Sequence, residues 1–173
     1  MRPYREYAFV ILIVVLIFGL SLYLTNKNKI EVVTDIPQKQ NALPVKDFVV
    51  NIETLAVHPG QDYDEIIKMF PSGHTLGMST VYCADDMELL FTFSKKENIL
   101  IKVDIMEPNI HTARGIGVGD SEDKLLATYG QGYTLVYDKK RPHEQEFIYG
   151  MDHYIVFKLK DKRIDKIVLD CPL

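Results

Sequence analysis

Residues 116–135 read Ile116-Gly-Val-Gly-Asp-Ser-Glu-Asp-Lys-Leu-Leu-Ala-Thr-Tyr-Gly-Gln-Gly-Tyr-Thr-Leu135, and a shift of 59 residues lays this stretch on an earlier one. Val57-His-Pro-Gly60 falls on Ile116-Gly-Val-Gly119, Asp64 on Asp123, and Ile66-Ile67 on Leu125-Leu126. Phe70 meets Tyr129, and Gly73-His-Thr-Leu76 meets Gly132-Tyr-Thr-Leu135. Self-similarity at a fixed offset is the pattern of repeated supersecondary units. The expected fold class is therefore α+β, with two tandem units of short helix plus antiparallel β-meander, repeats about 57–106 and 116–171.

Local chemistry supports a helix in each unit. Asp62 with Glu65 three residues on is a capping-box pattern, and Asp120 or Ser121 caps the second helix, with Glu122 and Asp123 favourable against the helix dipole. Ile66, Ile67 and Phe70, like Leu125, Leu126 and Tyr129, make one apolar face, and Pro71 and Gly130 stop the helices. Helices of two or three turns are not stable alone in water, so each face must pack on a sheet. The expected strands are 75–82, 88–94 and 99–106 in the first unit, then 133–138, 153–159 and 164–169 in the second. Lys95-Lys-Glu-Asn98 and Lys160-Asp-Lys-Arg163 serve as hairpin turns.

Gly119-Asp120-Ser121, then Leu125, then Tyr129-Gly130 resembles the G-x-[ST]-x-x-x-[VL]-x-x-x-[LY]-G signature of small outer-membrane assembly lipoproteins of the SmpA/OmlA type. The tandem organisation is similar to the β-lactamase-inhibitor-protein-like fold. The resemblance covers residues 57–171, although His58-Pro-Gly-Gln-Asp62 lacks the Ser or Thr and Pro71 stands where the closing glycine would be. It implies a non-catalytic module that binds another envelope protein through its sheet face or loops.

The N-terminus points the same way. Ala8 to Leu24 is a 17-residue run with only Gly19 and Ser21 outside the hydrophobic set, flanked by Tyr7 and ending beside Tyr23. That pattern predicts an N-terminal tail and transmembrane signal anchor over residues 1–24, inserted through residues 8–24. Arg2 and Arg5 are balanced by Lys27 and Lys29, and it is the short tail before a long C-terminal domain that suggests an extracytoplasmic domain. Residues 25–46, polar and containing Pro37 and Pro44, are expected to be a linker, and 47–173 the tandem-repeat domain. Residues 1–30 carry a net charge of +3, which leaves −7 on the rest of a chain whose total is −4. So acidic a body argues against nucleic acid as a partner.

No spacing announces catalysis, a cofactor or a metal. His58, His74, His111, His143 and His153 never fall at the i, i+3 or i+4 spacing of a helical metal pair. Ser121 is read as a cap, because the Asp-x-x-His that an esterase nucleophile there would need is missing. His143, Glu144, Glu146, Asp152 and His153 could meet across a hairpin, which leaves an envelope-associated hydrolase or a small-ligand sensor using the His143 to His153 region as the alternative. Cys83 and Cys171 are a candidate disulfide if the domain lies outside the cell. Ten tyrosines with no tryptophan suggest a tyrosine-rich binding face. The expected contact residues are Tyr133, Tyr137 and Tyr154, with His111 and Arg114 from the connecting segment.

Overall fold

The computed structural model describes residues 30–172. The described residues form eleven strands and two short helices, and nine of the strands make a single antiparallel sheet. In chain order they are β1 (Val32–Asp35), β2 (Val50–Ile52), β3 (Leu55–Val57), α1 (Tyr63–Met69), β4 (His74–Thr75), β5 (Val81–Ala84), β6 (Leu89–Phe93) and β7 (Leu100–Ile105). There follow α2 (Glu122–Tyr129), β8 (Tyr133–Asp138), β9 (Arg141–Gly150), β10 (Tyr154–Lys160) and β11 (Arg163–Asp170). The sheet order is β1-β8-β9-β10-β11-β7-β6-β5-β4, and β2 and β3 make a separate hairpin.

The register sorts side chains onto two faces, because directly opposed residues share a face and neighbours along a strand alternate. Tyr133 opposes Tyr149, Tyr149 opposes Ile155, and Ile155 opposes Leu169. Leu169 opposes Val103, Val103 opposes Phe91, and Phe91 opposes Tyr82, so one row of large apolar groups crosses seven strands. The helices lie over this row. Phe70, at the end of α1, stacks on Phe91 at 4.9 Å between ring centroids, and Tyr129 of α2 meets Phe157 at 5.0 Å and Tyr149 at 5.1 Å. Each buried aromatic removes a large apolar area from water, which makes this layer the main stabilising element of the molecule.

The opposite face carries Ile148, Val156, Val168 and Asp104 in one row. Ion pairs flank it, Lys158 Nζ to Glu146 Oε1 at 2.7 Å and Lys166 Nζ to Asp104 Oδ1 at 2.5 Å. An antiparallel sheet with one packed and one polar-flanked face is the ordinary arrangement when helices cover a single side.

This architecture corrects the expected one. The strands do not divide into two helix-plus-meander units; they pool into one sheet, and the chain from Val32 onward forms one compact unit. The join is β11 against β7, with Ile167 opposite Ile105 and Leu169 opposite Val103. Two separate meanders would each expose an unpaired edge there, and pairing those edges removes the cost. Tandem repetition is accordingly unsupported as a description of the fold. The transmembrane helix, and the single-pass, cell-membrane, extracytoplasmic placement drawn from it, is also unsupported. Among the described residues no helix is long and apolar enough to cross a membrane, and residues 8–24 lie outside them.

Two further segments differ from expectation. Within the expected linker 25–46, Val32–Asp35 pairs with β8, and the Gln40 side-chain amide donates to the Ile148 carbonyl at 2.8 Å. Polar side chains hid these segments because an edge strand and a strap need only backbone partners, not an apolar period. Residues 141–150, where no strand was expected, form the ten-residue strand β9.

Candidate functional site

The sequence-predicted contact residues scatter. Tyr133 is buried in the aromatic layer against Phe147 and Tyr149. Tyr137 lies on the same face toward the other end of β8, opposite Val33 and Gln145, whereas Tyr154 is on the opposite face, opposite Gly150 and Asp170. The three predicted tyrosines do not share one face, because Tyr154 differs from the other two in strand parity.

His111 bridges to Gly117, and a Cβ on that glycine would come within 2.8 Å of the imidazole ring. Arg114 is held inward. Its Nε and Nη2 donate to Asp47 Oδ2 at 3.0 and 2.5 Å, and the guanidinium lies 4.6 Å from the centroid of the Tyr129 ring. Asp47 is 1% exposed, so this pair is a structural tie between the 3-10 turn Val45–Phe48 and the segment before α2. The hydrogen bonds to Asp47, opposed in part by burial, raise the Arg114 guanidinium further above its usual range.

The His143 to His153 constellation is pulled apart. His143 is near the start of β9 and His153 in the turn after it, so seven residues of extended chain, about 23 Å at roughly 3.3 Å each, lie between His143 and Gly150. The His143 imidazole lies 3.9 Å from Glu144, Nε2 to Oε1, and its carbonyl accepts from Asp161 N–H at 3.0 Å. Among the described residues no group of three His, Cys, Asp or Glu side chains could hold a metal ion. Cys83 and Cys171 are both free thiols. They stand on opposite faces with β6 and β7 between their strands, three strand spacings or about 14 Å, beyond the reach of a disulfide.

What does come together is apolar. Leu43, Val45 and Phe48 from the strap and 3-10 turn, Pro59 and Gly60 before α1, Ile99 and Leu100 at the start of β7, His153, and Cys171 with Pro172 enclose a cleft of about 250 Å³. Local hydrogen bonding fixes its walls. Gly60 N–H donates to the Leu100 carbonyl at 2.7 Å, and Leu100 N–H to the Gln61 carbonyl at 2.8 Å. Gly60 holds φ +93°, a conformation that a side chain would strain. Cys171 N–H donates to the Ile101 carbonyl at 2.8 Å. The Phe48 and His153 rings meet edge to face at 5.9 Å.

Phe48 and Leu100 form buried walls, while Val45 at the rim is 83% exposed. Burial pushes the Cys171 thiol up to about 11, with the Asp170 carboxylate adding to the shift, so the sulfur is held as a neutral thiol at neutral pH. Sequence reasoning did not find this cleft. The available signal was Leu43-Pro44-Val45, three apolar residues inside a stretch read as a polar spacer.

No family model and no curated protein matches the chain. A solved structure similar to this one is that of an extracellular protein containing a SCP domain from Bacillus anthracis str. Ames. The two share 7% identity over 65% of this chain and 43% of that one, with a TM-score of 0.49. The chain therefore spans less than half the length of that structure.

Proposed function

We propose that this chain is a protein-binding module without a catalytic role, and that it takes an apolar side chain of another protein into the cleft beneath Val45. The observation that carries the reading is the pairing of a preformed apolar cleft with an almost fully exposed valine at its rim. Binding energy in protein interfaces concentrates where one anchor fills a desolvated pocket, surrounded by contacts that exclude water. Backbone hydrogen bonds hold the walls on both sides, so little ordering cost falls on binding.

The test is affinity purification of the full chain from the cells that make it, as wild type and as Val45→Asp. The reading expects a partner recovered with the wild type and lost with Val45→Asp, while both melt at the same temperature. Equal recovery from both would refute it.

A second reading, a small apolar ligand rather than a protein, is favoured by one observation: His153 supplies a polar group at a cleft otherwise walled by apolar side chains. Small-molecule sites combine an apolar lining with a few placed polar groups in this way. A thermal-shift screen with small apolar compounds that raises the melting temperature of wild type but not of Leu100→Trp would favour it.

A further inference from the structure

The nine-stranded sheet ends on one side at β4, which has only two residues, and on the other at β1, which has four. A two-residue edge offers little to pair with. β1 is different: among the described residues β8 is its single neighbour, no proline or lysine interrupts it, and Val32 and the following Ile36 are 62% and 59% exposed. Such an edge presents unpaired N–H and C=O groups and is a template for another strand.

Geometry restricts how a second copy could use it. In an antiparallel ladder, residues whose amides point outward must oppose residues of the same kind, so two copies of one strand related by a two-fold axis centre on a residue facing itself. Centring on Asp35 sets two carboxylates against each other. Centring on Val33 sets Glu31 against Asp35 twice, and like charges directly opposed are destabilising. Centring on Val32 pairs Ile30 with Thr34 but sets Ile36 opposite no described residue. Centring on Thr34 brings no like charges together. It also sets Val32 against Ile36 on both sides of the axis, which covers two of the three exposed apolar residues at this edge, Ile30 being the third.

We infer that β1 pairs with β1 of a second copy about a two-fold axis through Thr34, joining the two sheets edge to edge. This goes beyond the proposed cleft function and does not depend on it, since none of these residues lines the cleft. A ladder from Val32 to Ile36, five residues on each copy, is much smaller than the roughly 800 Å² per partner of a standard interface, so the association is weak and concentration-dependent.

The experiment uses the full chain with Cys83→Ser and Cys171→Ala, into which single cysteines are placed and oxidised. Thr34→Cys should form a disulfide-linked dimer, because facing residues at an antiparallel two-fold have Cα atoms about 4.5–5.5 Å apart. Val32→Cys should form at least about ten-fold less, since its counterpart lies roughly 13 Å away along the ladder. The double variant Val32→Cys/Ile36→Cys should link again. Val32→Lys added to Thr34→Cys should cut the yield several-fold by setting a charge in the apolar pair. A Thr34→Cys thiol that reacts freely with maleimide yet gives no dimer would overturn the inference. So would equal linkage at 32 and 34.

Discussion

The Asp47 carboxylate, 1% exposed, accepts from Arg114 Nη2 at 2.5 Å and Nε at 3.0 Å, while the same guanidinium covers the face of Tyr129 at 4.6 Å. The pair ties the turn that carries Val45 to the segment leading into α2. Removing the cation leaves a buried carboxylate unpaired, which costs about 3–5 kcal/mol in buried pairs. Arg114→Ala should lower the unfolding free energy in urea by that order. Arg114→Ala/Asp47→Ala, which leaves no orphan charge, should recover part of the loss.

Tyr129 bears the one buried side-chain polar atom among the described residues with no hydrogen-bond partner, its hydroxyl. Burial pushes that phenol up to about 12; the nearby Thr112 hydroxyl offsets part of the shift, and Asp47 adds to it. A folded value above the unfolded one near 10 means that the folded state keeps a proton the unfolded state gives up. The resulting stability is complete below pH 10 and is lost as pH rises from about 10 to 12. Tyr129→Phe should leave neutral-pH stability within about 1 kcal/mol of wild type, because no hydrogen bond is broken. It should also flatten the loss between pH 10 and 12 in urea midpoints.

Asp120 makes an opposite acid-side prediction. Burial works to raise its carboxyl, but the hydrogen bonds from Lys124 Nζ at 2.7 Å and Gly117 N–H at 2.9 Å, with the charge of Lys124, outweigh it and hold the group below the usual carboxylate value. A depressed folded value gives stability that is present above the unfolded value near 4 and lost as pH falls through the folded one. Asp120→Asn should therefore show a shallower fall in urea midpoint below pH 4 than wild type.

The two thiols should separate cleanly. Cys171 is 8% exposed with its thiol pushed up, while Cys83 is half-buried on the other face of the sheet. At pH 8 a thiol-reactive chromophore should titrate Cys83 first, and Cys171 only after denaturant is added. Two fast thiols would place Cys171 outside the core, and none would indicate a disulfide.

Some of this structure can be read from the chain alone. Ser121 caps α2, its Oγ accepting from Lys124 N–H at 3.3 Å, because a short hydroxyl before an acidic first turn satisfies an orphan amide locally. Tyr133–Asp138 is a strand with the bounds its pattern suggests. What could not be read depends on long-range pairing. The union of β7 with β11 rests on backbone groups some 65 residues apart in sequence, for which side-chain periodicity carries no signal. The same holds for β1, whose Val-Val-Thr-Asp is too short and too polar at its flanks to stand out. The cleft was missed for a related reason: Val45, Pro59, Ile99 and Cys171 come from four distant segments, and each alone is an unremarkable apolar residue.

We propose that the cleft beneath Val45, not the open sheet face, is where this protein meets another. The most direct measurement places a benzophenone side chain at Val45 or at Val156 of the full chain, irradiates the intact cells, and compares the adducts by mass spectrometry. A single defined protein adduct is expected at Val45, abolished by Ile99→Asp, and none at Val156. A defined adduct at Val156 with none at Val45 would contradict it and move the binding surface to the opposite face of the sheet.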